Sequence, residues 1–316
     1  MLKIITPSRL HFTLIDMNAS RGRVDGSIGL TLDRPCIIIT AEKSDSIEVT
    51  GNSEHAERMR NSASLLLPEG EGIHIRIEED YPSHTGLGSG TQAALAAAMA
   101  VDRLYDLGLS VYELAIKAGR GGTSGIGVAA FESGGFLLDG GHKFSEKKDF
   151  LPSSASRLPP APVLLRRDFP EWDILIAIPG QKGASLKNEV NIFRKECPVP
   201  LREVEELSHI ILMQLLPALV EKDISAFGRS INAVQELGFK KREVKLQPAS
   251  AELMQILRNG GACGAGMSSF GPTVYAFGEK AEDLKKIASE FLGEEGHVFI
   301  TKARNKGAVI ENSPVF

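Results

Sequence analysis

The stretch "HTGLGSGTQAALAAA", residues 84–98, decides how the chain is read. Gly86, Gly88 and Gly90 let the backbone take positive φ and approach a ligand closely. The alanine-rich run that follows, from about 91 to 107, consists of strong helix formers and is closed by Gly108. Backbone N–H groups at a helix start, reinforced by the macrodipole, form an anion site. Ser89 and Gln92 carry the S-x-x-Q spacing of a capping box. A tight strand-to-helix turn with an ordinary cap uses the same residues, and no GK[ST] follows, so this is not a Walker A loop.

Upstream of the loop, residues 2–81 break into short β-branched runs bounded by turn residues: "LKIITP", "HFTLIDM", "SIGLTL", "CIIITAE", "SIEVTG" and "IHIRIEE". One segment there, around 53–67, suits a helix. Downstream, "VYELAIKAG" (111–119) predicts a second helix, stopped by the cluster "GRGGTSGIG". The strand-like "GGFLLDG" and "PVLLRRD" follow, separated by a polar, proline-rich segment expected to be a surface loop. From about 171 the pattern restarts with strand "WDILIAIP", helical segments across 201–237, a helix near 249–259, strand "TVYAFG", helix 280–292 and strand "HVFITKA". Strands with paired helices predict an α+β protein. Its 316 residues exceed one typical core, and a boundary near Phe169 divides it into units 1–169 and 170–316.

The 36 basic and 40 acidic residues nearly cancel, leaving a net charge of -4, which disfavours nucleic acid and anionic membrane as partners. Apolar stretches such as "ALAAAMAV" and "IILMQLLPALV" fall short of the roughly 18–20 residues that cross a bilayer. "MLKIITPSRLHF" has no long apolar h-region. A cytoplasmic protein acting on small molecules is expected. Cys36, Cys197 and Cys263 form no CxxC pair and read as reduced thiols. The histidines include no HExxH, and His74 falls in a strand alternation, so no dedicated metal cage is expected.

The other dense patch is "SRLHFTLIDMNASRGRVDGSIGL", residues 8–30. Arg9 and His11, two apart, share one face of a strand. Asp16, Arg23, Asp25 and Ser27 follow on the next turn and strand. Arginine forks suit carboxylates and phosphates, and carboxylates suit a magnesium ion that also touches substrate phosphates. A solvated hairpin with surface ion pairs would read alike. A third cluster, "GACGAGMSSFGPTVYAF" (261–277), joins a glycine-rich turn and two serines to a strand. Three glycine clusters in one chain, at 84–98, 119–135 and 261–277, favour a phosphate-rich ligand, although the second by itself reads as a helix stop and turn.

Taken in order, these stretches resemble the GHMP kinase superfamily. "PSRLHF" stands for its first motif, "HTGLGSGTQAALA" for its P-x-x-x-G-L-G-S-S-A-A phosphate loop, and "GACGAGMSSFGPTVYAF" for its third. The resemblance spans the chain. It implies an N-terminal unit like ribosomal protein S5 domain 2, a C-terminal ferredoxin-like α/β sandwich, and a ligand between them. Two departures stand out. Gly90 and Thr91 replace the loop's second serine and first alanine, removing a hydroxyl that helps hold Mg-ATP in the kinases. "TSGIG" stands where many kinases have S-G-x-D, so Gly127 replaces the aspartate base. An ATP-dependent small-molecule kinase would have to recruit another carboxylate, such as Asp139; a non-catalytic ligand sensor is the other alternative.

A narrower family accommodates both departures. "SRLHFTLIDMN", "GRVDGSIGLTLDRP", "GLGSGTQ" and "GMSSFGPTVYAF" are similar to the β-ribofuranosylaminobenzene 5'-phosphate synthases, with Phe270 where tryptophan is expected. This resemblance implies a decarboxylating phosphoribosyltransferase of methanopterin biosynthesis. Such an enzyme joins 5-phospho-α-D-ribose 1-diphosphate to 4-aminobenzoate or 4-hydroxybenzoate and releases diphosphate and CO2. It further implies that Gly86, Leu87, Gly88, Ser89, Gly90 and Thr91 cradle the diphosphate, with Ser268 and Ser269 closing over it or over the 5'-phosphate. Arg9 and Arg23 would contact anions. Asp25, or else Asp16, would bind Mg2+ or stabilise positive charge on the sugar. His11 would orient the benzoate or move a proton. A Mg2+ cofactor and a homodimer are expected. Lys182, Glu189, Gln235 and Gln247 are further cleft candidates, equally readable as surface.

Overall fold

The computed structural model describes residues 1–153, 155–180 and 186–312; Lys182 lies outside them. Strands β1 (Leu2–Asp16) and β2 (Arg23–Ser44) form one long antiparallel pair. The runs read above as separate strands are continuous, because bulges at Thr6/Ser8 and His11/Thr13 bend the pair instead of ending it. β3 (Ile47–Thr50), α1 (Ala56–Ser64) and β4 (Gly72–Glu79) complete one side of the sheet. Then come α2 (Ser89–Tyr105), α3 (Val111–Lys117) and α4 (Ile126–Glu132), the last beginning at the end of the glycine cluster that stops α3 and not foreseen as a helix. Ala93 to Val101 are all buried, as befits a helix that is apolar all round.

β5 (Phe136–Asp139), β6 (His142–Lys143), α5 (Phe144–Lys147) and β7 (Val163–Arg167) follow. The segment expected to be a surface loop therefore carries structure and contributes the buried side chains of His142 and Lys147. The first sheet runs β3-β4-β2-β1, with β5 and β6 also paired to β2 and β7 to β5.

The second sheet is built from β8 (Ile174–Ile178) onward. α6 (Leu186–Glu196), α7 (Leu201–Ile210), a π-helical turn at Ile211–Leu215, α8 (Leu216–Glu221), α9 (Ile224–Gln235), α10 (Gly238–Lys245) and α11 (Pro248–Asn259) intervene. β9 (Gly264–Met267), β10 (Val274–Phe277), α12 (Ala281–Leu292) and β11 (His297–Thr301) close an antiparallel sheet in the order β11-β8-β10-β9. "GACGAGM" thus ends in a strand, not a turn. β12 (Val309–Asn312) then returns to pair with β1, so the chain finishes in the first sheet.

The molecule is α+β with two sheets, and one core runs between them. Phe12 of β1 lies 5.1 Å from Tyr275 and 6.4 Å from Phe227, ring centre to ring centre. Phe169, at the expected boundary, is buried and stacks on Trp172 at 5.2 Å and Phe227 at 5.4 Å. Among the described residues no helix is long and apolar enough to cross a membrane.

Candidate active site

The glycine loop between β4 and α2 is fixed by the other two motifs. Gly86 (φ +89) and Gly88 (φ +83) occupy the left-handed region. A Cβ on Gly86 would sit 2.4 Å from the Ser268 carbonyl oxygen, and one on Gly88 would sit 3.0 Å from Arg9 Nε. Only glycine permits both approaches. Arg9 donates from Nη1 to the Gly86 carbonyl and from its backbone N–H to Leu87 at 3.1 Å. Ser268 Oγ donates to Gly86 O at 2.7 Å and accepts from the His11 N–H at 3.0 Å, while Ser269 N–H donates to His11 O at 2.9 Å.

A cavity of about 250 Å3 opens over this lacing. One wall is the loop, with Gly86, Gly88, Ser89, Gly90 and Thr91, faced by Arg9, Arg58 and Arg120. Another is apolar, with Leu14, Phe193 and Phe270. His11, Glu189, Glu243 and Ser269 complete the chemistry. Phe193 and Phe270 rings lie 6.2 Å apart. The cavity thus offers cations to phosphates and a flat apolar surface to an aromatic ring.

Buried cations dominate the electrostatics of the cavity. Burial lowers the proton affinity of both Arg9 and Arg120 to a pKa of about 10, and Arg120 is pushed further by Arg58 and Arg9. Burial, with Arg9 and Lys240 nearby, holds His11 well below 6.5, so its imidazole is neutral, and its Nδ1 is buried without a hydrogen-bond partner. Lys240 Nζ donates to Ser269 O at 2.8 Å and lies 2.5 Å from Glu243 Oε2. Glu189 is pushed up to about 7 by burial and by the charge of Glu243.

Other expected site residues lie elsewhere. Leu87 and Ser268 are fully buried behind the loop and hold it. Arg23 is exposed and its guanidinium is taken by the carbonyls of Gly140 and Gly141 at 2.8 and 2.7 Å. Asp25 is buried outside the cavity lining. His142 Nδ1 lies 2.7 Å from it, and Lys147 Nζ lies 2.7 and 2.6 Å from its two oxygens. Both oxygens of Asp25 are thus engaged in a buried ion pair, away from the residues that line the cavity. Asp16 accepts from the N–H groups of Asn18 and Ala19 and closes a turn.

Ser27 links Asp139 to Ser124 Oγ, which lies 2.7 Å from Ser27 Oγ and lines the cavity. Asp139 itself is buried and accepts from the N–H groups of Gly125 and Gly141, so it is not poised as the base an alternative kinase needs. Gln235 and Gln247 brace backbone at Met267 and Phe270. The capping box is absent: Gly88 is the N-cap, Ser89 Oγ donates to Pro82 O, and Gln92 Nε2 donates to Gly127 O at 2.8 Å.

Sequence reasoning missed Arg58, Arg120, Phe193, Lys240 and Glu243. Arg120 stood inside a quoted glycine cluster, and Glu189 was named without a role. Lys240 and Glu243, three apart, share a face of α10, a helix not expected at all.

Gly127 explains itself sterically. A Cβ there would meet Thr91 Cγ2 at 3.3 Å, a slightly tight contact, and Thr91 Oγ1 at 3.5 Å, so the threonine packs directly over Gly127 and crowds a side chain there. Thr91 Oγ1 in turn accepts from Arg120 Nε at 3.2 Å and Nη2 at 2.8 Å.

A two-sheet α+β fold with a glycine loop capping a buried helix defines the class. The model described as GHMP kinases N terminal domain matches residues 53–135, and that described as GHMP kinases C terminal matches 215–297. Homoserine kinase from Cytophaga hutchinsonii superposes with a TM-score of 0.68 at 17% identity, covering 98% of this chain and 97% of that one. L. major mevalonate kinase superposes at 0.69 and 17% identity, covering 96% of each. These likenesses show the fold alone. Sequence similarity goes further. The β-ribofuranosylphenol 5'-phosphate synthase of Archaeoglobus fulgidus is 48% identical over 316 residues, 98% of this chain and all of that protein. Its namesake from Methanothermobacter thermautotrophicus is 47% identical over 322 residues, 97% of this chain and 98% of that protein. The chain belongs to the β-ribofuranosylphenol 5'-phosphate synthase family.

Proposed function

We propose that this chain condenses 5-phospho-α-D-ribose 1-diphosphate with a para-substituted benzoate, releasing diphosphate and CO2, as a step of methanopterin biosynthesis. The observation that carries the reading is a cavity walled by arginines and aromatic rings, in which the position of a kinase's aspartate is a glycine packed against Thr91. The chemistry explains that loss. The sugar C1–O bond breaks with its electron pair leaving on diphosphate. C1 joins the ring carbon that carries the carboxylate, and the ring–carboxylate bond then breaks, returning its pair to the ring as CO2 departs. No net proton has to be removed, whereas a kinase must take one from an alcohol.

In this reading the loop and the arginines disperse charge developing on the leaving group. Leu14, Phe193 and Phe270 orient the ring. Neutral His11, which lines the cavity, meets the benzoate carboxylate or its para substituent. The names of the relatives, phenol C-ribosides, favour 4-hydroxybenzoate over 4-aminobenzoate.

Magnesium is part of the proposal, held chiefly by substrate diphosphate. Among the described residues no group of three His, Cys, Asp or Glu side chains is placed for a metal. Glu189, whose proton affinity is raised by burial and by Glu243, is the cavity carboxylate that a hard cation would relieve. It would hold the ion, which when bound supplies charge neutralisation to the leaving group.

Carboxyl-labelled 4-hydroxybenzoate, the sugar diphosphate and magnesium should release labelled CO2. No release with either benzoate would sink the reading, and ADP formation from ATP with an alcohol would replace it. A homodimer in the cytoplasm is the proposed working form; light scattering on the purified chain checks its mass.

A further inference from the structure

Three of the loop residues that line the cavity, Gly88, Gly90 and Thr91, are each met by a different guanidinium. Gly88 leaves room for Arg9, whose Nε lies 3.0 Å from where a Cβ would stand. Gly90 leaves room for Arg58, whose Cζ and Nε lie 3.3 Å from its missing Cβ. Thr91 receives Arg120 through two hydrogen bonds at 3.2 and 2.8 Å. Arg58 comes from α1 and Arg120 from the turn after α3, so two separate elements converge on the first turn of α2. The charges acting on Arg120 are those of Arg58 and Arg9, cations all, in a site whose burial already penalises charge. Such an arrangement favours an anion shared among the guanidinium groups.

We propose that Arg58 and Arg120 grip the diphosphate leaving group, with Thr91 as the positioning residue that aims Arg120 and blocks a side chain at 127. Arg120 spends Nε and Nη2 on Thr91 and turns its remaining donors to the ligand. The same threonine methyl closes the space over Gly127, so two departures from the kinase pattern, at 91 and 127, are one interlocked change. It commits the loop to letting a diphosphate go, not to passing a phosphoryl group on. The proposal rests on the reading given above, and its test separates the two.

Inorganic diphosphate is titrated calorimetrically into the wild-type protein and into Arg120→Ala, Arg58→Ala, Thr91→Val and Thr91→Ser, with thermal melting of each. Either arginine replacement should weaken diphosphate at least tenfold. Thr91→Val, which keeps the shape and loses the hydroxyl, should weaken it by severalfold, and Thr91→Ser should restore it. In the condensation assay the arginine variants should lose kcat while KM for the benzoate stays within about threefold, since charge on the leaving group grows in the transition state. If Arg120→Ala does not fold, Arg120→Lys carries the test, because a single ammonium cannot both reach Thr91 and fork to the ligand. Folded arginine variants that bind diphosphate within threefold of wild type overturn the clamp even if the synthase reaction is found. Loss of diphosphate binding without any labelled CO2 release from the wild type keeps the clamp and overturns the reaction.

Discussion

Restoring the kinase-like residue, Gly127→Asp, should abolish condensation without creating phosphoryl transfer. Position 127 lies in the first turn of α4, where a carboxylate gains about 0.3–1 kcal/mol from the helix dipole and escapes the ~1 kcal/mol penalty of glycine in a helix. Against this stands crowding: the new Cβ meets Thr91 Cγ2 at 3.3 Å and Cβ at 3.4 Å, and overpacking of this kind costs about 1–3 kcal/mol. Stability should therefore change by less than ~2 kcal/mol. Activity should not survive. A carboxylate beside Thr91 competes for Arg120 and, at ~5 Å from a diphosphate charge with an effective dielectric near 20, adds about 3 kcal/mol of repulsion per charge pair, at least a hundredfold in kcat/KM. Labelled CO2 release, ADP formation with ATP and candidate alcohols, and thermal melting would be followed in parallel. Gly127→Asp/Thr91→Ala should recover melting temperature but not condensation. A folded Gly127→Asp enzyme within threefold of wild-type kcat/KM, or one that gains ATP-dependent transfer, would refute the interlock.

Asp25→Asn should destabilise by about 3–5 kcal/mol in urea unfolding, because it strands Lys147 in a buried site; an activity loss with unchanged stability would return Asp25 to the ligand side. Gly88→Ala should lose ~1–3 kcal/mol, combining left-handed strain at φ +83 with displacement of Arg9, and should raise KM for the sugar diphosphate more than for the benzoate. Asp139 is raised from its ordinary 3.8 to about 6, chiefly by burial. The folded state therefore keeps a proton the unfolded chain has released, so this group's contribution is full below pH ~4 and is lost as pH rises through 6, about 3 kcal/mol in all. The stability difference between wild type and Asp139→Asn should change by about 2 kcal/mol between pH 4 and 6, and by about 3 kcal/mol between pH 3 and 7; a flat difference would show an ordinary carboxyl.

The loop was legible because its function is local: glycine spacing, a helix former run and a hydroxyl lie within a few residues. Arg9 and His11 were legible for the same reason, sharing a strand face beside it. Asp25 was misplaced because its partners, His142 and Lys147, come from a polar, proline-rich stretch with no periodicity to show that it folds back under β2. Lys240 and Glu243 were invisible because "GFKKREVK" opens with glycine and is dense in charge, so its helical character is set by packing against neighbouring helices and β1 and not by propensity. What a sequence shows least is a contact whose two halves are far apart and each ordinary alone. Gly127 read as a missing base and Thr91 as a missing alanine. Only the packing of Thr91 over Gly127, where a Cβ would stand 3.3 Å from the threonine methyl, together with Arg120 bound to the same threonine, joins the two positions in space.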